Sequence, residues 1–213
     1  MSDDAQTIIE RNIAHYGSEL DGYTPARYER FLTHLGQGAV DVLDVGCSTG
    51  RGGAILKTRL PQLKITGLDC VSERLDKLDR SVYEDCVGAF SHDIPLAANS
   101  FDAIVAGEFI QCVAPPHVFP TLCEFFRLLR LRGRLVLTTP NPNGLKNRLQ
   151  RLSVLHDEVQ ASQHFPASLR RRLEDVGFSG IKVYGCGRVS SYLGPHFPFL
   201  AVYGSYLIVA RKW

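Results

Sequence analysis

Long apolar runs and paired cysteines are missing from this sequence of 213 residues, and no leader peptide is expected. No apolar stretch approaches the ~18 residues that a membrane-spanning helix requires. The opening residues MSDDAQTIIERN are acidic and polar, which excludes a secretory signal. The six cysteines form no C-x-x-C pair and have no regular spacing, so they predict reduced thiols. These absences predict a cytoplasmic protein without a membrane partner.

A strong charge of either sign is also missing. Lys and Arg number 24 and Asp and Glu number 22, which leaves a formal net charge of +2 at pH 7. This balance argues against nucleic acid as a partner. The length and the 45% content of hydrophobic residues are typical of one globular domain, and we expect that domain to span residues 1–213.

What the sequence does have is a regular alternation of short apolar runs and helical patterns. Strands are predicted at residues 40–44, 63–69, 87–92, 101–106 and 134–139. Helices are predicted between them at residues 50–59, from Ser72 through Val82, and at residues 118–131. This rhythm is typical of βαβ units, and it predicts a parallel sheet with helices on both faces.

The two ends of the chain depart from this rhythm. Residues 5–35 predict two helices, and residues 141–164 form a polar, poorly periodic segment that is long for a plain connection. A helix at residues 166–176 is followed by two strands, at 181–185 and 203–210, with no helix between them. Without a crossover helix these last two strands should pair antiparallel.

The stretch VLDVGCSTGRGG at residues 42–53 carries the first chemical signal. As G-x-S-x-G it would be the nucleophile elbow of a serine hydrolase, but no earlier strand and no oxyanion segment precede it. As the dinucleotide loop G-x-G-x-x-G it has only its first glycine, Gly46, with Ser48 and Arg51 at the other two positions. A glycine-rich turn between a strand and a helix is nonetheless the usual seat of a nucleotide cofactor.

Three aspartates indicate the chemical character of that cofactor. Asp44 lies two residues before the first glycine, where a carboxylate would repel a pyrophosphate and attract a cofactor that carries an ammonium and a sulfonium. Asp69 ends the second predicted strand, where a carboxylate can accept both hydroxyls of a ribose. Asp93 follows the third predicted strand and is placed to reach an adenine edge.

These segments resemble the class I S-adenosylmethionine-dependent methyltransferases over roughly residues 38–211. The matching pieces are VLDVGCSTG, ITGLD, SHDIPLAANSFDAIVAGEFI and LLRLRGRLVLTTPNP. The resemblance implies an α/β, Rossmann-like fold whose seven-stranded, mostly parallel sheet ends in an antiparallel C-terminal hairpin. It implies S-adenosyl-L-methionine as the cofactor and S-adenosyl-L-homocysteine as its product.

The same resemblance assigns regions and site residues. Residues 1–37 would be an N-terminal helical lid, 38–140 the cofactor-binding half, 141–165 an insertion over the acceptor site, and 166–213 the C-terminal helix and hairpin. The cofactor-binding positions would be Asp44, Gly46, Cys47, Ser48, Gly50, Asp69, Cys70, Asp93, Ile94 and Glu108.

The catalytic residues are expected to be Glu108, which lies beside the methyl-transfer space, and His164, which ends the insertion and is placed to act as a base. His15 and His117 are the alternative bases. Many relatives have E-x-x-E-H after the fourth strand. This chain has Glu108, Gln111 and Cys112 there, so the role of the Glu-His pair does not carry over. No Asp-Asp-Asn constellation indicates a Mg²⁺ site, and no metal is predicted.

The predicted reaction is methyl transfer to a small-molecule acceptor, with O-methylation of a sugar or secondary-metabolite hydroxyl as the leading interpretation. An RNA methyltransferase and a non-catalytic, cofactor-binding regulatory protein are the alternatives. A basic cluster predicts solvated helix faces, or alternatively a patch for an anionic acceptor. It comprises Arg127, Arg130, Arg132, Arg134, Lys146, Arg148 and Arg151, with Arg170, Arg171 and Arg172 later in the chain.

Overall fold

The centre of the molecule is a seven-stranded sheet, seen in a computed structural model that describes residues 5–14, 22–145, 149 and 161–213. The strands are β1 Asp41–Val45, β2 Lys64–Asp69, β3 Tyr83–Gly88, β4 Phe101–Gly107, β5 Leu129–Pro140, β6 Ser179–Cys186 and β7 Ser205–Arg211. Their order in the sheet is β3-β2-β1-β4-β5-β7-β6. Strands β1 to β5 pair in parallel, and β7 pairs antiparallel with both β5 and β6. The predicted fold class is confirmed.

Helices cover both faces of this sheet. They are α1 Ala5–Ala14, α2 Thr24–Leu32, α3 Arg51–Arg59, α4 Ser72–Leu75, α5 Pro115–Leu128, α6 Pro166–Val176 and α7 Ser190–Leu193. Short 3₁₀ turns occupy Ile110–Cys112 and Leu200–Val202. Within the described part of the chain, no helix is long and apolar enough to cross a membrane.

The apolar strand residues divide between two core layers because successive side chains of a strand point to opposite faces. Val42 packs in one layer with Tyr28 of α2 and Leu56 of α3. Its neighbour Leu43 packs in the other layer with Phe125 of α5. Burial on both faces explains why the strands read as continuous apolar runs in the sequence.

The third strand begins earlier than the sequence predicts. The prediction placed a helix through Val82 and a strand at 87–92, whereas α4 ends after one turn and β3 spans Tyr83–Gly88. Asp79 closes the intervening turn by accepting hydrogen bonds from the amide and the hydroxyl of Ser81, at 2.8 and 2.7 Å. Because β3 is an edge strand with exposed acidic residues, it lacks the apolar run that marks the inner strands.

The helix before the fifth strand is also displaced from its prediction. It was expected at residues 118–131, but α5 starts at Pro115 and ends at Leu128, where β5 follows without a loop. Proline is favoured in a first helical turn, which explains the earlier start. Leu131, expected on a helix, therefore lies in β5 and is 67% exposed.

The N-terminal helices pack at the end of the sheet where β1, β2 and β4 terminate. The Arg30 guanidinium of α2 donates to the carbonyl of Gly185 at 2.6 Å, and the Tyr23 hydroxyl lies 3.2 Å from the Ser190 hydroxyl. The Arg74 guanidinium donates to the carbonyl of Asn12 in α1. Most of the expected insertion over the acceptor site, at 146–148 and 150–160, lies outside the described residues.

Candidate functional site

The glycine-rich turn between β1 and α3 is fastened to the end of β2. The amides of Gly46 and Cys47 both donate to the carbonyl of Leu68, at 2.8 and 3.2 Å. Gly46, Ser48 and Gly50 have positive φ angles of 68°, 51° and 89°. Three left-handed residues within five positions bend the backbone sharply and keep the turn at the carboxyl ends of the parallel strands. This is the edge of an α/β sheet where ligands bind.

Gly46 meets a second requirement besides its φ angle. A Cβ atom at this position would lie 2.6 Å from Cδ2 of Phe109, closer than real contacts allow. Phe109 follows β4, so its ring packs directly on the glycine turn. The turns after β1 and β4 thereby form one continuous wall of the site.

Asp69 joins the end of β2 to the same turn. Its Oδ2 accepts the amide of Ser48 at 3.1 Å and its Oδ1 accepts the amide of Val71 at 3.0 Å, while the Arg74 guanidinium lies 4.0 Å away. Burial raises the pKa of this carboxyl. The carboxylate is fixed in orientation, and each of its oxygens keeps a second lone pair for a ligand hydroxyl.

Asp44 lies beneath the turn and has no exposed surface. The hydroxyls of Tyr28 and Tyr83 donate to Oδ1 and Oδ2 of this carboxylate, each at 2.7 Å. A direct contact between Asp44 and a ligand ammonium would require one tyrosine hydroxyl to move. In this arrangement the carboxylate acts on a ligand through its charge.

Two adjacent glycines make room for these tyrosines. A Cβ atom at Gly52 would overlap the ring of Tyr28, and one at Gly53 would overlap the hydroxyl of Tyr83. The Gly53 amide also donates to the Tyr83 hydroxyl at 3.1 Å. The Gly-Gly pair at the start of α3 is therefore what lets two phenol rings reach Asp44.

Negative charge dominates the floor of the site. Burial raises the pKa of Asp44 to about 6, and the nearby Asp69 raises it further, whereas the two tyrosine hydrogen bonds oppose the rise. Asp44 is still ionised at neutral pH, so two buried carboxylates lie below the turn. Such a floor favours a cationic ligand and disfavours a pyrophosphate.

The two cysteines predicted in the site contribute differently. Cys47 is buried in the core layer that also contains Val42, so only its backbone faces the turn. Burial raises the pKa of its thiol well above the ordinary value. Cys70 is half-buried next to Asp69, and burial raises the pKa of its thiol to about 11. All six cysteines are free thiols.

The predicted adenine wall is formed by the segment after β3. Asp93 is exposed and Ile94 is buried. The Ile94 amide donates to Oε2 of Glu124 at 3.0 Å, and its carbonyl accepts from Arg127 at 2.9 Å. Glu124 and Arg127 are themselves ion-paired at 2.7 Å. The guanidinium of Arg127 is thus occupied by structural contacts, which leaves Arg127 out of the predicted anion patch.

Glu108 follows β4 at the rim of the site with a φ angle of 52°. Its amide donates to the carbonyl and the hydroxyl of Thr138, both at 3.1 Å, and its carbonyl accepts from the Gln111 amide group at 2.7 Å. The carboxylate lies 3.9 Å from the Arg27 guanidinium of α2. A left-handed glutamate costs conformational energy, and such residues concentrate at functional sites.

His164 lies behind this rim rather than on it. The residue is 4% exposed, and its Nε2 lies 2.8 Å from the Ser162 hydroxyl and 3.2 Å from the carbonyl of Ile110. Burial lowers its pKa to about 4. The imidazole is therefore neutral at physiological pH and a weak proton acceptor, so its catalytic role stays a prediction.

Sequence reasoning missed the residues that support the site. Tyr28 and Tyr83 hold Asp44 from positions 16 and 39 residues away along the chain, and no local motif includes them. The Gly-Gly pair at 52–53 is the one signal that was available, since two glycines at the start of a helix indicate close packing. Glu124 was missed because its partner segment is 30 residues distant.

Comparison with known proteins places this site in context. The model of a methyltransferase domain family matches residues 42–133. A malonyl-[acyl-carrier protein] O-methyltransferase of Laribacter hongkongensis is 28% identical over 57% of this chain and 44% of its own. A demethylmenaquinone methyltransferase of Thermotoga maritima is 35% identical over 49% of this chain and 45% of its own. The chain thus spans less than half the length of these two relatives.

The fold has close counterparts among solved structures. A SAM-dependent methyltransferase from Archaeoglobus fulgidus superposes with a TM-score of 0.71 and 18% sequence identity, over 98% of this chain and 100% of the other. A sequence identity this low supports a shared fold and nothing beyond it. The match over nearly both whole chains includes the helices outside the sheet as well as the strands.

Proposed function

We propose that this chain is a class I S-adenosylmethionine-dependent methyltransferase and that it transfers a methyl group from S-adenosyl-L-methionine to a small-molecule acceptor. The expected acceptor atom is the oxygen of a hydroxyl. The observation that carries this proposal is the pair of buried carboxylates, Asp44 and Asp69, below a turn that contains three left-handed residues.

The charge and shape of this turn fit the cofactor. Asp69 is fixed by two backbone amides and has lone pairs left for the two hydroxyls of a ribose. Asp44 supplies negative charge without direct contact, which suits an amino-acid ammonium and a sulfonium. The turn after β3, with exposed Asp93 and buried Ile94, offers a polar group and an apolar surface for an adenine.

The protein itself has to contribute few chemical steps to this reaction. When bound, the cofactor supplies a methyl group that is already activated on a sulfonium, so the chain must align the acceptor and, for a hydroxyl, remove a proton. Glu108 is the best-placed group for that side of the site, since it is partly exposed at the carboxyl end of β4. The Arg27 guanidinium lies 3.9 Å from this carboxylate and helps to orient it.

We propose a chemical class for the acceptor, a small molecule with a hydroxyl group, and no individual compound. The relatives are named for different acceptors, a malonyl carrier protein and a demethylmenaquinone, so their names do not select one acceptor for this chain. The described helices α1 and α2 lie at the same end of the sheet as the turn. We propose that they form a lid over the acceptor.

Calorimetry with S-adenosyl-L-homocysteine tests the proposal most directly. We expect one site per chain, tighter binding than for NAD, and a loss of at least ~30-fold in affinity for Asp69→Ala, because two hydrogen bonds to a charged acceptor disappear. Asp175→Asn, an exposed position on α6, is the matched control for lost charge and should bind normally. Tighter binding of NAD, or an unchanged affinity in a folded Asp69→Ala protein, would contradict the proposal.

Turnover requires a separate measurement. Labelled cofactor incubated with small hydroxyl and carboxyl compounds, and in parallel with total RNA, should transfer label to a small molecule that mass spectrometry identifies. Glu108→Gln should lower turnover by a larger factor than it lowers the affinity for S-adenosyl-L-homocysteine. Label found in RNA alone would establish the RNA methyltransferase alternative, and cofactor binding without transfer to any acceptor would favour a regulatory protein.

A further inference from the structure

A second cleft lies at the opposite edge of the sheet from the glycine turn. It forms where β1, β4 and β5 begin and β7 ends, and it has a volume of about 510 Å³. Its walls include Arg132, Arg134, Arg211, Leu131, Trp213 and the turn at Gly36. This volume is within the ~300–1,000 Å³ range of small-molecule pockets. None of the residues assigned to methyl transfer lies in it.

Three arginines give this cleft an excess of positive charge. Within residues 22–145 and 161–213, no carboxylate forms an ion pair with Arg132, Arg134 or Arg211. Asp102 also lines the cleft, where it shares the single Arg130 guanidinium with Asp41. Its Oδ1 accepts from Arg130 at 2.8 Å, and its Oδ2 accepts two backbone amides.

Two of these arginines are held together by the sheet itself. Arg134 of β5 and Arg211 of β7 are directly opposite each other in the antiparallel ladder. Like charges in this arrangement destabilise a sheet. Burial, together with the charge of Arg211, lowers the pKa of Arg134. The fold therefore maintains a repulsive pair that a bound anion would relieve.

An aromatic surface adjoins the charge. Trp213 is 62% exposed and Leu131 is 67% exposed, so both present apolar area to the cleft. The Arg211 guanidinium lies 5.9 Å from the centre of the Trp213 ring. Guanidinium groups bind phosphate oxygens in a bidentate manner, and an indole stacks on flat heterocycles.

We propose that this cleft binds a phosphate-bearing ligand of mononucleotide size. Its phosphates would lie between Arg132, Arg134 and Arg211, and its base would stack on Trp213. The site is separate from the cofactor turn, so its occupancy does not depend on methyl transfer. It gives the protein a second small-molecule ligand, recognised by anionic charge and an aromatic ring.

The chain offers its own reporter, because Trp213 is the single tryptophan of the sequence. We would follow its fluorescence at constant ionic strength while adding adenosine triphosphate, inorganic triphosphate or adenosine. The nucleotide should give a saturable change at one site per chain, triphosphate should bind at least ~3-fold more weakly, and adenosine should give no saturation. Equal binding of triphosphate and nucleotide, or no saturation with either, would overturn the assignment.

Substitutions distinguish a ligand site from a structural role. Arg211→Gln should weaken nucleotide binding at least ~10-fold and should raise the melting temperature of the unliganded protein, because the repulsion across the ladder disappears. Arg171→Gln, an exposed arginine on α6, is the matched control and should change neither value. A folded Arg211→Gln protein that binds the nucleotide normally would refute the proposal.

Three further measurements complete the test. Arg132→Gln changes an exposed side chain, so it keeps the experiment decisive if Arg211→Gln fails to fold. It too should weaken nucleotide binding at least ~10-fold, and normal binding would count against the site. An RNA oligonucleotide that binds more tightly than the nucleotide, with the same dependence on Arg132, would assign the cleft to nucleic acid instead. Calorimetry with S-adenosyl-L-homocysteine on the same variants should be unchanged, which separates this proposal from the proposed function.

Discussion

The carboxylate of Asp44 gives the sharpest prediction about the site, through the change Tyr28→Phe. The Tyr28 hydroxyl makes one described contact, the 2.7 Å bond that it donates to Oδ1 of Asp44. Removing only this oxygen leaves the ring packed against Gly52. The variant therefore tests a single hydrogen bond to a fully buried carboxylate.

The magnitude follows from the charge of the acceptor. A hydrogen bond to an ionised group contributes about 1.5–3 kcal/mol and one to a neutral group about 0.5–1.5 kcal/mol. The folded-state pKa of Asp44 is about 6, so the carboxylate is ionised at pH 8 and protonated at pH 5. We expect Tyr28→Phe to lower the free energy of unfolding by about 2 kcal/mol at pH 8 and about 1 kcal/mol at pH 5.

The free energy of unfolding of the wild-type protein should also depend on pH in the direction opposite to that of an ordinary ion-paired carboxylate. The pKa of Asp44 is raised from 3.8 to about 6 on folding, so between these values the folded state holds a proton that the unfolded state has released. The contribution of Asp44 to the free energy of unfolding therefore falls as pH rises from about 4 to about 6. The loss, about 3 kcal/mol, persists above that range.

Urea denaturation of both proteins between pH 5 and pH 8 measures these differences. Tyr206→Phe is the matched control, since the Tyr206 hydroxyl is buried and donates at 2.8 Å to a neutral acceptor, the carbonyl of His164. Its cost should be about 1 kcal/mol at both pH values. If Tyr28→Phe costs the same at pH 5 and pH 8, Asp44 does not ionise in this range and the electrostatic account of the site is wrong.

Three further substitutions test neighbouring parts of the site. Gly46→Ala should lower the free energy of unfolding by about 1–3 kcal/mol in urea titrations, because the new Cβ meets Phe109 in a left-handed backbone. Ser48→Gly should keep S-adenosyl-L-homocysteine affinity within a few-fold by calorimetry, since glycine adopts the φ angle of 51° freely and the amide bond to Asp69 is retained. His164→Ala should lower turnover ~10²-fold with unchanged product affinity if His164 is a base; equal turnover would leave it a packing residue.

Sequence reasoning located the parts of the fold whose cause is local. The inner strands β1, β2 and β4 are buried on both faces and read as apolar runs, and the glycine turn reads from its small residues. The position of Asp69 at the end of a strand was predictable from the local pattern, and its role in cofactor binding stays a prediction. The edge strand β3 was displaced, since its pattern of exposed acids resembles a loop.

The remaining parts depend on contacts distant in the sequence. Asp44 was identified as a charged group, but the two tyrosines that enclose it come from α2 and β3. Only the packed structure brings them together. The burial of His164 depends in the same way on the turn at Ile110. The pairing of Arg134 with Arg211 likewise depends on the register between β5 and β7.

The position of β7 imposes an order on folding during synthesis. This strand is the last of the seven to leave the ribosome, yet it lies between β5 and β6, and in the sheet as described it is the sole neighbour of β6. Until residues 205–211 emerge, β5 presents an unpaired edge with three wholly buried apolar residues, Leu135, Val136 and Leu137. Such an edge is a template for pairing with other chains. A nascent chain stalled between β6 and β7 would therefore be far more prone to aggregate than a chain in which β7 has paired with β5.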